Sequence, residues 1–546
     1  MQRSSNAASL RRCHVTANAF NLAPPETSPI FSLFSPDIMQ RKAITVPPQR
    51  STARRGLTPI LRPFTVYLSG MLVLPLVLSG CVGVRNSASV GITSNPWRTQ
   101  ISAMQTSAQG QGASAQNAQT QRPPTTTYYV DCNSGSDAAS GRSAAQAWKS
   151  LGRAASASLG PGEALLFKRG CRWDGTLDAK WSGTPEAPVT IGAYGEGALP
   201  QLRGRGEGAV VNVRGRHQVL EFLDIASDTP APRADAWRCR SQPTGWRIGF
   251  SFRDGSQGNT VRSSRASGLT AGIHFEGGSQ NKALYNMLVH NTVMSQNTPA
   301  TPDDDSGAWG VLLNANDNEV AYNYFEGNIA CSEDYGVEGA SVELFKASRN
   351  FIHHNVSVND STFAELGGHS GMNSANNTFA YNLYAPVDTG GEMLVLRGSR
   401  SKWGANPGTR FYNNTGYQVT LGISCGDGCG PDILSARNNI LVARASSDRD
   451  LLFADASFDE GNNLLWRDGP PPKITIRGGD LHPSSRVADP RFANPSGLDF
   501  RLLPGSPGRG AGAREPLSAL SISADLDGTP IVNSRALDIG ALQSKP

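Results

Sequence analysis

The sequence predicts an all-β chain folded as a right-handed parallel β-helix, a solenoid with an N-terminal cap. Three observations predict it. The first is a recurring phrase: an Asn-bearing turn, a short apolar stretch, and often a second Asn. It appears as Asn281-Lys-Ala-Leu-Tyr-Asn286, Asn318-Glu-Val-Ala-Tyr-Asn323, Asn350-Phe-Ile-His-His-Asn355 and Asn377-Thr-Phe-Ala-Tyr-Asn382, then in shorter form through Asn414, Asn439 and Asn463. Copies lie about 22 to 37 residues apart, the spacing of a stacked repeat. The second is that the runs between turns are short, β-branched and aromatic, which reads as strand rather than helix. The third is composition: 59 Gly and 35 Pro against only 17% charged residues fit a turn-rich β protein with a weakly charged surface. Asn at a fixed corner tolerates the left-handed turn conformation, and its amide can bond to the same Asn one coil away. Residues from about 200 to 465 are therefore expected to stack, with Asn286, Asn323, Asn355 and Asn382 on one corner line.

The ends of the chain read differently. Arg54 and Arg55 precede an apolar stretch over 57–80 that ends Leu78-Ser79-Gly80-Cys81. A basic segment, an apolar segment and small residues before a cleavage point make an export signal. The Leu-Ser-Gly-Cys ending resembles a bacterial lipobox, which implies a leader over 1–81 and lipid attachment at Cys81. Val82 and Gly83 follow rather than Asp, which implies the outer membrane. Residues 82–126 are Ser, Gln, Ala, Asn and Thr with few apolar groups, a polar tether expected to be disordered.

Folded sequence starts at Tyr128. The segment Tyr129-Val-Asp-Cys-Asn-Ser-Gly-Ser-Asp137 is followed by Ala147-Trp-Lys-Ser-Leu151, Gly160-Pro-Gly-Glu-Ala-Leu-Leu-Phe-Lys-Arg-Gly170 and Pro188-Val-Thr-Ile-Gly-Ala-Tyr-Gly-Glu-Gly197. In this order they resemble the cap and first rungs of bacterial β-helix proteins of the pectate-lyase-like superfamily, with Glu163 in place of the usual Asp. The resemblance implies a cap over 127–200 that covers the open end of the stack. The C-terminal Ala488-Asp-Pro-Arg-Phe492, Leu498-Asp-Phe-Arg-Leu502 and Asp525-Leu-Asp-Gly528 resemble the closing segment of the same proteins, so 201–546 is expected to hold the β-helix and its close. That superfamily includes lyases, hydrolases, epimerases and adhesins, so fold alone names no activity.

Six cysteines follow Cys81: Cys132, Cys171, Cys239, Cys331, Cys425 and Cys429. An even number in an exported chain reads as disulfides, with Cys425 and Cys429 placed to close a small loop. The net charge is +5, and much of the excess lies in the leader. No basic stripe is interleaved with aromatics, so nucleic acid is not an expected partner.

Side chains alternate along a strand, and outward positions of neighbouring rungs stack about 4.8 Å apart into a groove suited to an extended polymer. Alternation turns His274 and Glu276 outward on one rung, Asn314 on the next, then Glu343 with Lys346 at the turn, then Glu365 with His369 soon after, then Arg397. His274, Glu276 and Asn314 are candidate substrate contacts. Lys346, Arg397, Glu365, Glu343 and His369 are candidate catalytic groups. Cleavage of a uronic-acid polymer by β-elimination needs a cation to neutralise the carboxylate, a base and an acid. Lys346 fits the base and Arg397 a bidentate carboxylate partner. Glu343, Glu365 and Asn314 offer hard oxygen ligands for calcium.

Lys346 stands four residues before Asn350. That spacing resembles the calcium-dependent alginate-lyase family of β-helix enzymes, in which a Lys precedes the corner Asn in this way. The paired Glu-x-Glu of that family is missing, because Gly339 and Ser341 occupy those places, so only Lys346 carries over. Two other readings stand beside the lyase. Glu343 and Glu365 on adjacent rungs match the paired carboxyls of a glycoside hydrolase. A carbohydrate-binding or adhesion protein would need neither set. The Asp303-Asp-Asp305 run, in the long 291–309 connection, reads as calcium ligands, a partner for the acid pair, or an exposed acidic loop. His353 and His354 sit in an apolar corner strand, where one of them is expected to be an inward or stacked structural residue.

Overall fold

The computed structural model describes residues 124–228, 245–298, 301–518 and 520–545. The leader with Cys81, and most of the tether, lie outside the described residues. Among the described residues no helix is long and apolar enough to cross a membrane.

Three long sheets run the length of the molecule, and every strand pairing within them is parallel. Sheet 1 has 12 strands, from Thr126–Val130 to Asp459–Gly461; sheet 2 has 12, from Arg172–Asp174 to Arg486–Val487; sheet 3 has 11, from Leu177–Ala179 to Ile474–Ile476. One coil visits all three in turn: Lys282–Leu284, then Met287–Val289, then Trp309–Leu313. The next coil lies in register beneath it, with Ala283 opposite Val320 and Leu288 opposite Phe325. This is a right-handed parallel β-helix. Its interior is lined by inward residues of all three sheets, among them Phe250, Phe275, Phe325, Phe363, Phe379 and Phe411, all fully buried. Burying one such ring contributes about 2–3 kcal/mol.

The Asn repeat resolves into three ladders. Asn286, Asn323, Asn355, Asn382, Asn414, Asn439 and Asn463 form the corner between sheets 1 and 2. Each donates both its backbone N–H and its side-chain Nδ2 to the Oδ1 of the next, as from Asn323 to Asn355 at 3.0 and 3.0 Å and from Asn355 to Asn382 at 3.0 and 3.0 Å. The other Asn of each hexapeptide belongs to a second ladder at the opposite end of the same sheet 1 strand, through Asn259, Asn281, Asn318, Asn350 and Asn377. A third, Asn291 to Asn328 to Asp360, marks the end of sheet 2. The hexapeptide is thus one strand bounded by two corners, not one corner.

The residue before each rung of the first ladder takes a left-handed conformation, including Tyr285, Tyr322, His354 and Tyr381 at φ of 58°, 58°, 54° and 55°. Non-glycine residues adopt it at a cost of roughly 1 kcal/mol, offset here by the buried amide bonds and by ring stacking. Tyr285 stacks on Tyr322, Tyr322 on His354, and His354 on Tyr381, with centroids 4.9, 4.8 and 5.4 Å apart. His354 is therefore a stacked structural residue, and His353 lies 3.2 Å from Glu319.

The cap is built as the sequence implies. Helix Leu151–Ala155, capped by the Ser150 side chain, closes over the first coils, and Trp148 is buried against Tyr128. Disulfides join Cys132 to Cys171 and Cys425 to Cys429, and Cys331 is also disulfide-bonded. The closing segment lies along the flank of the solenoid: Phe500, Leu526, Ala541 and Leu542 pack on Val356, Val358, Leu383 and Ala385 of sheet 2.

Two tests follow from the ladders. Asn355→Ala leaves its neighbours' buried N–H and carbonyl groups unpaired and should lower stability by about 3 kcal/mol, read by denaturant unfolding. Asp360 ends the third ladder with a carboxyl that burial pushes up from 3.8 to about 7, against opposing hydrogen bonds from Ser341, Asn328 and Ser357. An acid whose folded pKa is raised contributes stability that is complete below the unfolded value and lost as pH rises through the folded one. Stability should therefore fall between about pH 4 and pH 7 from this group. Asp360→Asn, which continues the ladder with an amide, should flatten that slope, leaving the same-signed contribution of Asp525, also raised to about 7 by burial.

Candidate functional site

The outer face of sheet 3 carries His274, Glu276, Asn314, Glu343, Glu365 and Arg397, while Lys346 and His369 lie in the turns that follow its strands. Strands Ala271–Phe275, Trp309–Leu313, Ala340–Phe345, Thr362–Gly367 and Glu392–Arg397 lie side by side. In register, His274 is opposite Leu312, Leu312 opposite Glu343, Glu343 opposite Glu365, and Glu365 opposite Val395. Two positions further on, the outward row is Glu276, Asn314, Phe345, Gly367 and Arg397. Between the rows, Phe275, Leu313, Leu344, Leu366 and Leu396 point into the core.

Three of the expected catalytic groups meet. Arg397 Nη2 donates to Glu365 Oε1 at 2.7 Å, and Arg397 Nη1 donates to the Leu366 carbonyl at 2.5 Å. Glu343, on the neighbouring strand, is buried, at 3% exposure, and its Oε1 has no hydrogen-bond partner among the described residues. Burial, then the charge of Glu365, pushes the Glu343 carboxyl well above the usual carboxylate range, with Arg397 opposing. The outcome is one carboxylate clamped by Arg397 beside one carboxyl whose ionised form burial disfavours. These side chains point out of the solenoid but are not the exposed face that alternation alone implies.

Lys346 and His369 stand apart from that pair. Lys346, at a left-handed turn position with φ 58°, holds its ammonium 5.6 Å from the Phe345 ring centre and makes no ion pair among the described residues. The His369 ring lies 6.1 Å from the same Phe345 ring. Gly367 separates Phe345 from Arg397: a Cβ there would stand 3.8 Å from Arg397 Nη1 and 3.8 Å from the Phe345 ring. The missing side chain leaves a gap between an aromatic face and a guanidinium.

The expected substrate contacts form their own networks. His274 Nε2 lies 2.6 Å from Asn314 Oδ1, and Asn314 Nδ2 donates to the Phe345 carbonyl at 2.9 Å. Burial holds His274 below its ordinary pKa, so it is neutral and donates Nε2–H to Asn314. Glu276 is paired with Arg253 and accepts from Ser251 Oγ at 3.1 Å. Glu343, Glu365 and Asn314 do not make the calcium ligand set expected of them. The Asn314 oxygen faces His274, and Glu365 is held by Arg397.

Sequence reasoning missed the aromatic side of the face. Trp246 lies against His274 and Trp309, with ring centres 5.9 and 5.4 Å apart, and Ile248, Ala271, Leu312 and Ala340 complete an apolar patch beside the polar rows. Trp309 was findable, since it begins the strand that ends at the expected Asn314. Trp246 was not, because no repeat marks its rung.

The chain has a right-handed parallel β-helix fold. No protein-family model matches it, and no curated protein matches it in sequence. Among solved structures it is similar to pectate lyase Pel9A, at 16% identity over 78% of this chain and 97% of that one, with a TM-score of 0.49. It is also similar to a GH136 lacto-N-biosidase from Eubacterium ramulus, at 15% identity over 65% and 68% of the two chains and a TM-score of 0.44. A mannuronic acid specific family 6 polysaccharide lyase from human gut microbiota matches at 12% identity over 66% and 85%, with a TM-score of 0.42. At these identities the likeness is one of fold.

The two carboxyls should respond oppositely to amidation at neutral pH. Glu365→Gln strands the buried Arg397 charge and should cost about 3 kcal/mol. Glu343→Gln keeps the shape of a buried carboxyl that holds no ion pair and whose ionised form burial disfavours, and should cost far less. Denaturant unfolding of both variants at pH 7 checks the contrast, and equal losses would contradict it.

Proposed function

We propose that this chain is an exported enzyme that binds an extended acidic polysaccharide along the outer face of sheet 3 and cleaves it by β-elimination beside a uronic carboxylate. The observation that carries this reading is the cationic edge around Phe345. Lys346 has no ion-pair partner among the described residues, His369 flanks the same ring, and Arg397 lies across the gap at Gly367. In this reading Arg397 meets the substrate carboxylate, and Glu365 holds the guanidinium in place. Charge neutralisation there acidifies the adjacent C–H. Lys346 takes that proton. The electron pair becomes the new C=C bond as the glycosidic C–O bond breaks, and His369 gives a proton to the leaving oxygen. Trp246 and Trp309 offer apolar surface to sugar rings further along the face. The Leu78-Ser79-Gly80-Cys81 sequence adds a lipid anchor at Cys81 and an outer-membrane location to the proposal.

A second reading has its own support. Glu343 and Glu365 face each other on neighbouring strands, one buried so that its neutral form is favoured and the other paired with Arg397, and two carboxyls in such different surroundings suit the acid and base of a glycoside hydrolase.

Incubation with a panel of acidic and neutral polysaccharides separates these readings. A lyase produces an ultraviolet-absorbing unsaturated uronide end along with each new reducing end; a hydrolase produces reducing ends alone. Lys346→Ala should lower lyase turnover by about a hundredfold or more with little change in KM. Activity that survives Lys346→Ala and is lost in Glu343→Gln would assign the hydrolase. Binding without any cleavage across the panel would leave a carbohydrate-binding protein.

A further inference from the structure

On two consecutive coils the chain leaves the solenoid between sheets 2 and 3. The first excursion pairs Met294–Ser295 with Ser306–Gly307 in antiparallel fashion, and the second pairs Ala330–Ser332 with Gly336–Glu338. Their facing ends bring three acidic side chains together. Asp304 and Asp305 come from the returning arm of the first, and Asp334 from the turn of the second. One carboxylate oxygen from each lies within 4.8 Å of the other two.

The backbone holds these groups in place. Asp334 Oδ2 accepts from the N–H of Asp304 at 3.0 Å and from that of Asp305 at 3.4 Å. Asp305 Oδ2 accepts from Ser332 Oγ at 2.5 Å and from the Asp334 N–H at 3.1 Å. Asp304 Oδ2 accepts from Thr298 Oγ1 at 3.3 Å. Asp303, next in the run, accepts from the Tyr335 hydroxyl at 2.8 Å and so braces the same two excursions.

Those bonds leave two buried oxygens over. Asp304 Oδ1 and Asp305 Oδ1 are both buried without a hydrogen-bond partner, and the Asp305 side chain is fully buried. No Lys or Arg among the described residues pairs with any of the three carboxylates. Three carboxylates drawn together without a counter-charge are costly, and a buried bare oxygen adds the cost of its lost hydration. Burial and mutual repulsion raise the carboxyls of Asp304 and Asp305, the direction expected of a site that lacks its positive charge. A hard divalent cation removes both penalties. All the donors are oxygens, they come from two separate hairpins, and their geometry is irregular, which fits calcium better than the strict octahedron of magnesium.

We propose that Asp304, Asp305 and Asp334 bind a calcium ion that pins the two excursions to each other. The site lies outside the sheet 3 rows and does not depend on the reaction proposed for them. Its role is structural: it joins two hairpins that the coil ladders do not hold.

The test uses the purified protein stripped with EGTA, titrated with CaCl2 by calorimetry and followed by thermal unfolding, with MgCl2 as the comparison. One calcium ion per chain should bind with a Kd of about 10⁻⁵ to 10⁻³ M. Saturating calcium should raise Tm by about 3–5 °C, and magnesium at the same concentration should not. Asp305→Asn and Asp334→Asn should abolish the binding and the shift. Asp304→Asn, whose carboxylate holds only the Thr298 contact, should fold normally by circular dichroism and weaken binding at least tenfold. Glu343→Gln should keep the calcium response, which separates this site from the groove. Failure of the native protein to bind calcium overturns the proposal. So does a calcium response that survives Asp304→Asn and Asp305→Asn, or one that is lost in Glu343→Gln.

Discussion

Everything in this molecule rests on the buried amide of one corner Asn reaching the next. A parallel coil has no tight hairpin to set its register; it has only the stacking of successive turns. At each corner the chain must reverse direction, which exposes backbone N–H and C=O groups that the sheets do not pair. The Asn side chain answers this within the stack. Its carbonyl accepts from the N–H of the coil on one side, as Asn355 Oδ1 does from Asn323, and its amide donates to the next Oδ1 and to the Val320 carbonyl. No apolar residue could replace it without leaving buried polar groups unpaired.

The ladders also account for the outer face. Because the corner fixes where each strand of sheet 3 begins, Glu343 falls opposite Glu365 and not opposite Leu366. A shift of one residue would send Glu343 and Glu365 into the core and bring Leu344 and Leu366 out. The same register sets Gly367 between Phe345 and Arg397. The two carboxyls differ in surroundings for one reason: Arg397 contacts Glu365 and only opposes, at longer range, the burial that raises Glu343.

Where the chain departs from the coil, other devices take over. The excursions after sheet 2 are held by short antiparallel pairings, by Asn297, which accepts from the Glu333 N–H and donates to the Cys331 carbonyl, by the Asp303 to Tyr335 bond and by interlocked Asp and Ser contacts. The closing segment is held by apolar packing on sheet 2 and by amide bonds such as Asn438 to the Ala513 carbonyl. It thereby covers a flank of the solenoid that would otherwise face water.

The sequence by itself determined the architecture, because a coil repeats and repetition is visible in one dimension. The Asn spacing named the corners, the alternation of Ile273, Val342 and Leu394 with His274, Glu343 and Val395 named the two faces, and Cys425 and Cys429 declared their short loop. It did not reveal that the two Asn of each hexapeptide serve different ladders, since that depends on the width of sheet 1. Nor did it reveal that Arg397 pairs with Glu365, that Glu343 is buried rather than exposed, or that Asp334 joins Asp304 and Asp305 from 30 and 29 residues away. Those facts depend on which side chains from different coils meet and on how much water is excluded around them. Charge state and ligand geometry follow from such meetings in three dimensions, and no periodicity in the chain encodes them.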